Sequence, residues 1–359
     1  MIPRTRRIRS AWLGSLVLAA GTAHAQPTVY ELDEGSGWVR TETPVPGTDA
    51  ALIAEVRKLL AEDRPGAAQD RIEPWIERNK DTDNPYLAQG WLLLGDAKTA
   101  RGYEYSALFD YERVITQYPS TPEYIAANER EFEIAMAYAN GMRRRVLWGL
   151  VRWGDASDLA QELLIRIHER LPGSALAERA TIELADFYYR QRDMRMARDA
   201  YRLFLENYPR SEQRAKALQR RVLANIALFK GPRYDASGLQ EAALLIQEYQ
   251  DRYPFEAQRV GLDESLEARI DESAGAHMLE SARWYLRRGD EPAARLMLKR
   301  LIGRHPRTVA AREARTILEE RDWQIRTGDE PVEAEPLGPA VPDLPPGPAG
   351  SPAENGGGS

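Results

Sequence analysis

Five alanines in this 359-residue chain are each followed, twelve residues later, by a proline. The pairs are Ala107 and Pro119, Ala160 and Pro172, Ala197 and Pro209, Ala242 and Pro254, and Ala294 and Pro306. Four positions after each alanine stands a large side chain: Tyr111, Leu164, Tyr201, Ile246 and Leu298. Proline ends a helix because it lacks the N–H that the next turn needs. Alanine lets a neighbouring helix approach closely. The spacing predicts a series of helices, each packed closely on another helix and each closed by its proline.

Apolar residues between Asp49 and Asp322 recur at three- and four-residue steps, and alternating strand-like runs are missing. A second helical stripe precedes each alanine, so the helices are predicted to form hairpins. Two insertions interrupt the regular spacing, at residues 140–158 and 230–238. Insertions of this kind project from one side of a repeat array and often add a binding function.

The first helix of a hairpin carries a recurring set of residues. Trp91, Leu94 and Gly95 precede Ala107, and similar residues precede Ala197. The combined spacing resembles the tetratricopeptide (TPR) repeat, which runs Trp-x2-Leu-Gly-x2-Tyr, then alanine, an aromatic residue and proline. The resemblance covers residues 49–324. It implies an all-α fold, a right-handed superhelical solenoid of about six TPR-like helical hairpins whose first helices line an inner groove.

The two ends of the chain differ from this repeat region. Residues 1–25 have an arginine-rich start, an uncharged run at Ala11–Ala23 and small residues at Ala23 and Ala25, which is typical of a cleaved secretory signal peptide. Residues 26–48 are predicted to be an extended segment. Residues 325–359 are rich in proline and glycine with six acids and no base after Arg326, and we expect a disordered acidic tail. Loss of the four signal-peptide arginines would change the formal net charge from −6 to −10.

The chain offers little catalytic chemistry. Beyond the signal peptide it has three histidines, His168, His277 and His305, none paired at helical metal-site spacing. Phosphate-binding loops and nucleophile elbows are missing, so we predict no cofactor, no metal site and no enzymatic activity. The negative charge disfavours nucleic acid as a partner. A cell-wall-cleaving enzyme built on a helical solenoid is the alternative from another class.

Two sets of residues are candidates for binding a partner. The repeat register places one set in the inner groove, where arginine can bind a carboxylate through two hydrogen bonds, unless these residues form salt bridges within the chain. Its members are Arg179, Asp186, Tyr189, Arg190, Arg283 and Arg287. The second set lies in the 140–158 insertion and mixes arginine with tryptophan: Arg143, Arg144, Arg145, Trp148, Arg152 and Trp153. It could hold an acidic partner segment, rest on an anionic lipid surface, or pack on the neighbouring hairpin.

Turns of the form "YPST" at Tyr118, "LPGS" at Leu171 and "YPRS" at Tyr208, with the stretch Glu183–Pro209, resemble the BamD (YfiO) family. The resemblance implies a periplasmic, non-catalytic TPR scaffold that binds envelope proteins or peptides, including the β-barrel assembly machinery of the outer membrane. Members of that family are lipoproteins anchored through an acylated cysteine, and this sequence has no cysteine. We therefore expect peripheral association through partners. A soluble periplasmic adaptor for cell-wall synthesis or division is the alternative.

Overall fold

The computed structural model describes residues 29–33, 37–41, 44–146 and 151–323, with side chains for residues 44–145 and 154–323. The predicted signal peptide, the whole of the predicted tail and Trp148 lie outside these ranges. The chain divides into two compact units, Met1–His277 and Met278–Ser359, which are described separately. None of the helices within these ranges is long and apolar enough to cross a bilayer.

The first unit consists mainly of helices. They are α1 (Asp49–Ala61), α2 (Pro65–Asn79), α3 (Leu87–Ala100), α4 (Glu104–Gln117), α5 (Pro122–Ala139), α6 (Ser157–Arg170), α7 (Ala175–Arg190), α8 (Met194–Asn207), α9 (Arg214–Leu228), α10 (Ser237–Arg252), α11 (Pro254–Val260) and the first part of α12 (Glu264–Arg287). Each helix from α1 to α10 packs against the next one in the chain. In addition, α1 contacts α3, α3 contacts α5, and α5 contacts α7, so the first helices of successive hairpins form one layer. The predicted fold class, an all-α array of TPR-like hairpins, is confirmed.

The repeated alanines and their large neighbours form the centre of these hairpins. All five alanines have no exposed surface, and neither have the five side chains that follow them by four positions. Helix α4 ends at Gln117 and α8 ends at Asn207, two residues before the closing prolines. Pro254 differs, because it also begins α11 as its first residue. A proline is tolerated there, since the first N–H of a helix has no partner within the helix.

The 140–158 insertion corrects the expectation that residues 49–322 lack strands. It contains β3 (Arg144–Val146) and β4 (Val151–Gly154), which pair antiparallel with Arg145 opposite Arg152. Strands of three and four residues are too short to show an alternating pattern in the sequence. A second antiparallel hairpin, β1 (Val29–Asp33) and β2 (Gly37–Thr41), lies in the segment predicted to be extended.

The second unit contains the last part of α12 with α13 (Glu291–Arg304) and α14 (Val309–Glu320). The side chains of Asp290 and Thr308 cap α13 and α14 by accepting backbone N–H groups at their first turns. A small apolar core fills the unit. Its members are Leu279, Ala282, Leu298, Leu301, Ala310, Ala311, Ala314 and Leu318.

Candidate protein-binding groove

Four of the predicted groove residues lie on α7. This helix packs against α5, and its side chains also contact side chains of α9. On the α5 side, the Arg179 guanidinium lies 4.6 Å from the centre of the Phe132 ring. Arg190 donates to the carbonyl oxygen of Ala139 at 3.5 Å. Both arginines are exposed. The first helices of the hairpins therefore bring these two cations to the layer where the repeat register predicted them.

On the other side of α7, Asp186 forms a buried charged cluster with α8 and α9. Its carboxylate is only 4% exposed and accepts hydrogen bonds from the Tyr201 hydroxyl at 2.5 Å and from Arg220 at 2.6 Å. Lys216 Nζ lies 2.6 Å from its other oxygen. Burial, and then the hydrogen bond to Asp186, raise the pKa of Tyr201, so its hydroxyl stays protonated and donates. Two cations thus share one carboxylate.

Tyr189 completes the surface of this cluster. The Arg220 guanidinium lies 5.3 Å from the centre of its ring, and the ring meets that of Tyr201 edge-on at 6.3 Å. Lys216 and Arg220 keep about a third of their side-chain surface exposed, at 38% and 33%. The Asp186 cluster, defined as Asp186, Tyr201, Lys216 and Arg220 with Tyr189, therefore presents positive charge and an aromatic ring on the α7–α9 surface.

The same arrangement occurs a second time in the first unit. The Tyr111 hydroxyl donates to Asp96 at 2.9 Å, and Arg130 donates to the same oxygen at 2.9 Å. In both clusters the tyrosine follows the aspartate by 15 residues and the arginine follows it by 34. Sequence reasoning missed Lys216, Arg220 and the whole Asp96 cluster. The sequence feature that could have revealed both clusters is their shared spacing, because 34 residues is the length of one TPR repeat.

Arg283 and Arg287, the other predicted groove residues, lie in the second unit. Arg283 pairs with Glu313, and Arg287 lies 3.1 Å from Glu280. Glu280 also lies 4.0 Å from Arg283. These contacts are salt bridges within the chain, the alternative that the sequence left open for this set.

The arginines of the insertion rest on tyrosines at the start of α4. The Arg144 guanidinium lies 4.7 Å from the Tyr105 ring centre, and the Arg145 guanidinium lies 5.4 Å from that of Tyr103. Arg145 also donates to the carbonyl oxygen of Arg101 at 3.4 Å. Cation–π contacts of this kind hold the first strand of the insertion on the neighbouring hairpin.

The structure describes the remaining members of the insertion set only in part. Hydrogen bonds from Ser157 lower the pKa of the Asp155 carboxyl, and the charge of Arg143 lowers it further. Arg152 and Trp153 belong to the backbone of β4, while their side chains lie outside the described residues, as does Trp148.

The histidines make contacts within the fold. His168 Nδ1 lies 3.0 Å from the Thr181 hydroxyl, and His277 Nδ1 lies 2.8 Å from the carbonyl oxygen of Pro232. His305 is the residue after α13, where its N–H bonds to Leu301. Among the described residues, no three His, Cys, Asp or Glu side chains come together in a group that could hold a metal ion.

A buried carboxyl lies between α5 and its neighbours. Glu131 is 1% exposed, and Arg170 donates to it at 2.9 Å while also binding Glu112. Burial raises the pKa of Glu131 to about 7, against the attraction of Arg170, and the negative charge of Glu112 adds to the rise. Arg166 is a weaker positive neighbour.

This carboxyl predicts a pH dependence of stability. The folded chain holds the Glu131 proton up to about pH 7, whereas the unfolded chain releases it near pH 4.5. Since the folded state binds more protons in this window, its stability falls as the pH rises through it, by about 1–3 kcal/mol. Urea unfolding at pH 5.5 and pH 8 measures the fall. It should shrink in Glu131→Gln and persist in Glu133→Gln, whose side chain is 66% exposed on the same helix. An equal fall in both variants would contradict the prediction.

Two-helix repeats with buried alanines, closing prolines and a layer of first helices define a tetratricopeptide-type repeat protein. The model of one family, YfiO, described as outer membrane lipoprotein, matches residues 152–333, which is more than half of the chain. The chain belongs to the YfiO family, and the BamD (YfiO) resemblance is thereby confirmed. The matched residues run from β4 through α14 and include the Asp186 cluster.

Solved structures with similar helical repeats are distant in sequence. The C-terminal part of a TPR repeat-containing protein from Cytophaga hutchinsonii is 12% identical, with 75% of this chain and 88% of that chain covered and a TM-score of 0.37. A tetratricopeptide repeat protein from Parabacteroides merdae is 12% identical, with 75% and 98% covered and a TM-score of 0.33. MamA from Desulfovibrio magneticus RS-1 is 16% identical, with 57% and 95% covered and a TM-score of 0.33. The comparison with curated proteins gives no match.

Proposed function

We propose that this protein is a non-catalytic periplasmic scaffold that binds extended segments of envelope proteins in its groove during outer-membrane β-barrel assembly. Membership of the YfiO family supports the envelope location and the role of a protein-binding repeat. The observation that carries the proposal is the Asp186 cluster, in which two partly exposed cations share one carboxylate. The excess positive charge suits a partner that supplies carboxylates.

The spacing of the two exposed arginines on α7 fits a short extended peptide. Arg179 and Arg190 are separated by 11 residues, which is about 16 Å along a helix. An extended peptide of about five residues spans the same distance. Tyr189 is half-buried beside the Arg220 guanidinium and offers aromatic surface to an apolar side chain of the peptide, whereas Phe132 is buried beneath Arg179. The groove thus combines charge and apolar contact in one line.

The geometry of the groove favours binding over catalysis. Both oxygens of the Asp186 carboxylate are engaged, one by Tyr201 and Arg220 and the other by Lys216. A glycosidase needs two carboxylates held on either side of a substrate bond. The Asp186 carboxylate is occupied by its own chain and is not presented to a ligand.

The insertion is proposed as a second contact surface of the same scaffold. Arg144 and Arg145 are stacked on tyrosines, and each guanidinium keeps further N–H groups that can bind carboxylates. Stacking reduces the conformational freedom that an arginine loses on binding. We propose that the insertion, like the groove, binds an acidic segment of a partner protein.

In-cell photocrosslinking tests the proposal. A photoreactive residue in place of Tyr189 should capture β-barrel assembly proteins, and the adducts should be found in the outer-membrane fraction. The double variant Arg179→Glu/Arg190→Glu should reduce this capture roughly tenfold or more, because each reversal turns an attractive contact into a repulsive one. The matched control Arg202→Glu/Arg210→Glu reverses two exposed charges of the same unit outside the α7 groove.

Two outcomes would contradict the proposal in different ways. Equal capture by the groove variant and the control would show that the α7 cations do not bind the partner. Recovery of cell-wall or division proteins from the soluble fraction would favour the periplasmic adaptor over a role in β-barrel assembly.

A further inference from the structure

A cavity of about 700 Å³ lies where the start of α8, the end of α9 and the 230–238 insertion meet. It is separate from the α7 residues proposed to bind partners. Six charged side chains line it: Arg192, Asp193, Arg195, Arg198, Lys230 and Asp235. Ligand pockets typically have volumes of about 300–1,000 Å³, so the cavity is large enough for several amino-acid residues.

The insertion that forms one wall is held in place by specific contacts. The Asp235 carboxylate accepts hydrogen bonds from the backbone and hydroxyl of Ser237, at 2.9 and 2.6 Å. A Cβ at Gly238 would lie 2.9 Å from the backbone oxygen of Asn225, so the backbones approach closely there. His277 contacts the Pro232 carbonyl. The extra residues therefore build an ordered wall beside α9.

The lining carries an excess of positive charge. It has four cations and two carboxylates, in a chain whose net charge is −6. Both carboxylates have partners, because Asp193 accepts from the backbone of Met196 at 3.1 Å and Asp235 accepts from Ser237. In the part of the chain that the structure describes, no carboxylate lies within ion-pair distance of Arg192, Arg195 or Lys230.

Apolar surface accompanies this charge. The Tyr234 side chain lines the cavity and is 58% exposed, although it is a large aromatic ring. Met194 and Phe229, both half-buried, contribute to the lining as well. An aromatic ring and a flexible thioether adapt to apolar side chains of different shapes. A small inorganic anion would leave this surface unused.

We propose that the cavity binds an acidic peptide segment of a partner protein. The carboxylates of the peptide bind Arg195 and Lys230, and one of its apolar side chains packs on the Tyr234 ring. Charge complementarity selects the acidic residues, and the volume and apolar lining select a peptide. The cavity gives the scaffold a further binding site for acidic segments, formed by residues other than those of the α7 groove.

Fluorescence anisotropy with the full chain tests this proposal. The probe is a dye-labelled, end-capped peptide of sequence Asp-Glu-Phe-Asp-Glu-Leu, and its counterpart has lysine in place of each acid. We expect the acidic peptide to bind and the lysine peptide not to bind. Arg195→Glu/Lys230→Glu should weaken binding roughly tenfold or more, and Tyr234→Ala should weaken it by about three- to tenfold.

Matched variants separate this site from the groove. Arg202→Glu reverses an exposed charge on α8 that does not line the cavity, and Arg179→Glu/Arg190→Glu alters the groove. Arg202→Glu should bind the acidic peptide as the unmodified protein does. Because the groove is itself proposed to bind carboxylates, the cavity is also tested in the Arg179→Glu/Arg190→Glu background. That variant should still bind the acidic peptide, and adding Arg195→Glu/Lys230→Glu to it should remove most of the binding that remains. Circular dichroism confirms the fold of every variant.

Three results would overturn the proposal. One is unchanged peptide affinity in Arg195→Glu/Lys230→Glu. Another is equal affinity for the acidic and lysine peptides. The third is displacement of the peptide by millimolar inorganic phosphate or by vesicles containing phosphatidylglycerol, which would assign the cavity to phosphate groups instead.

Discussion

Replacing Asp186 with alanine is expected to lower the free energy of unfolding by about 3 kcal/mol. The substitution leaves Lys216 and Arg220 close together without their shared carboxylate, and it leaves the Tyr201 hydroxyl without its acceptor. Removing one partner of a buried ion pair typically costs about 3–5 kcal/mol. The two cations keep about a third of their surface exposed, so water offsets part of this cost.

Urea unfolding followed by circular dichroism measures the Asp186 effect. The control is Asp199→Ala, because the Asp199 side chain is 40% exposed and pairs with the adjacent Arg198. That variant should change stability by less than about 1 kcal/mol. A double-mutant cycle of Asp186→Asn with Arg220→Met should give a coupling of about 1–3 kcal/mol. Equal stabilities for the two alanine variants would contradict a stabilising role for the cluster.

The second large effect is expected at Gly95 in α3. A Cβ at this position would lie 2.4 Å from the Tyr111 ring, far inside van der Waals contact. The ring has no free space to move into, because Tyr111 is fully buried and its hydroxyl bonds to Asp96 and Thr99. Gly95→Ala should therefore destabilise the protein by about 2–3 kcal/mol through overpacking.

A control substitution at another glycine should change the stability in the opposite direction. Gly303 lies in α13, and a Cβ added there would meet nothing within 4 Å beyond the backbone of its own helix. Gly303→Ala should therefore stabilise the helix by up to about 1 kcal/mol. Combining Gly95→Ala with Tyr111→Leu should remove most of the overpacking cost, since the smaller side chain leaves room. If Gly95→Ala were as stable as the unmodified protein, the ring would have to relax, and close packing at this site would be disproved.

The sequence predicted the helical hairpins, because their determinants are local. The Ala107-to-Pro119 spacing and its four repetitions combine helical period, a small residue at the contact and a proline at the end. Each of these acts within one or two helices. The same local rules placed Arg179 and Arg190 on α7. They also marked the two insertions, as departures from the repeat.

Side-chain partners were decided by the tertiary structure. Asp186 was predicted to bind a partner in the inner groove, because the repeat register places it there, with salt bridges within the chain as the alternative. In the fold its carboxylate is buried under Lys216 and Arg220 of the next hairpin. Such pairs join residues 30 and 34 positions apart, and a single sequence does not reveal which of its many charges meet at that distance.

The two insertions show the same division between what the sequence predicted and what the tertiary structure decided. Their positions were visible in the sequence, whereas their structures were not, because short strands and loops lack a period of their own. Only the packing of β3 on α4, and of residues 230–238 on α9, turned two irregular stretches into a cationic surface and a cavity. The sequence by itself determined the repeat and the helices, because both depend on local spacing. The tertiary structure decided where charge and space are left for a partner, because these depend on contacts between hairpins.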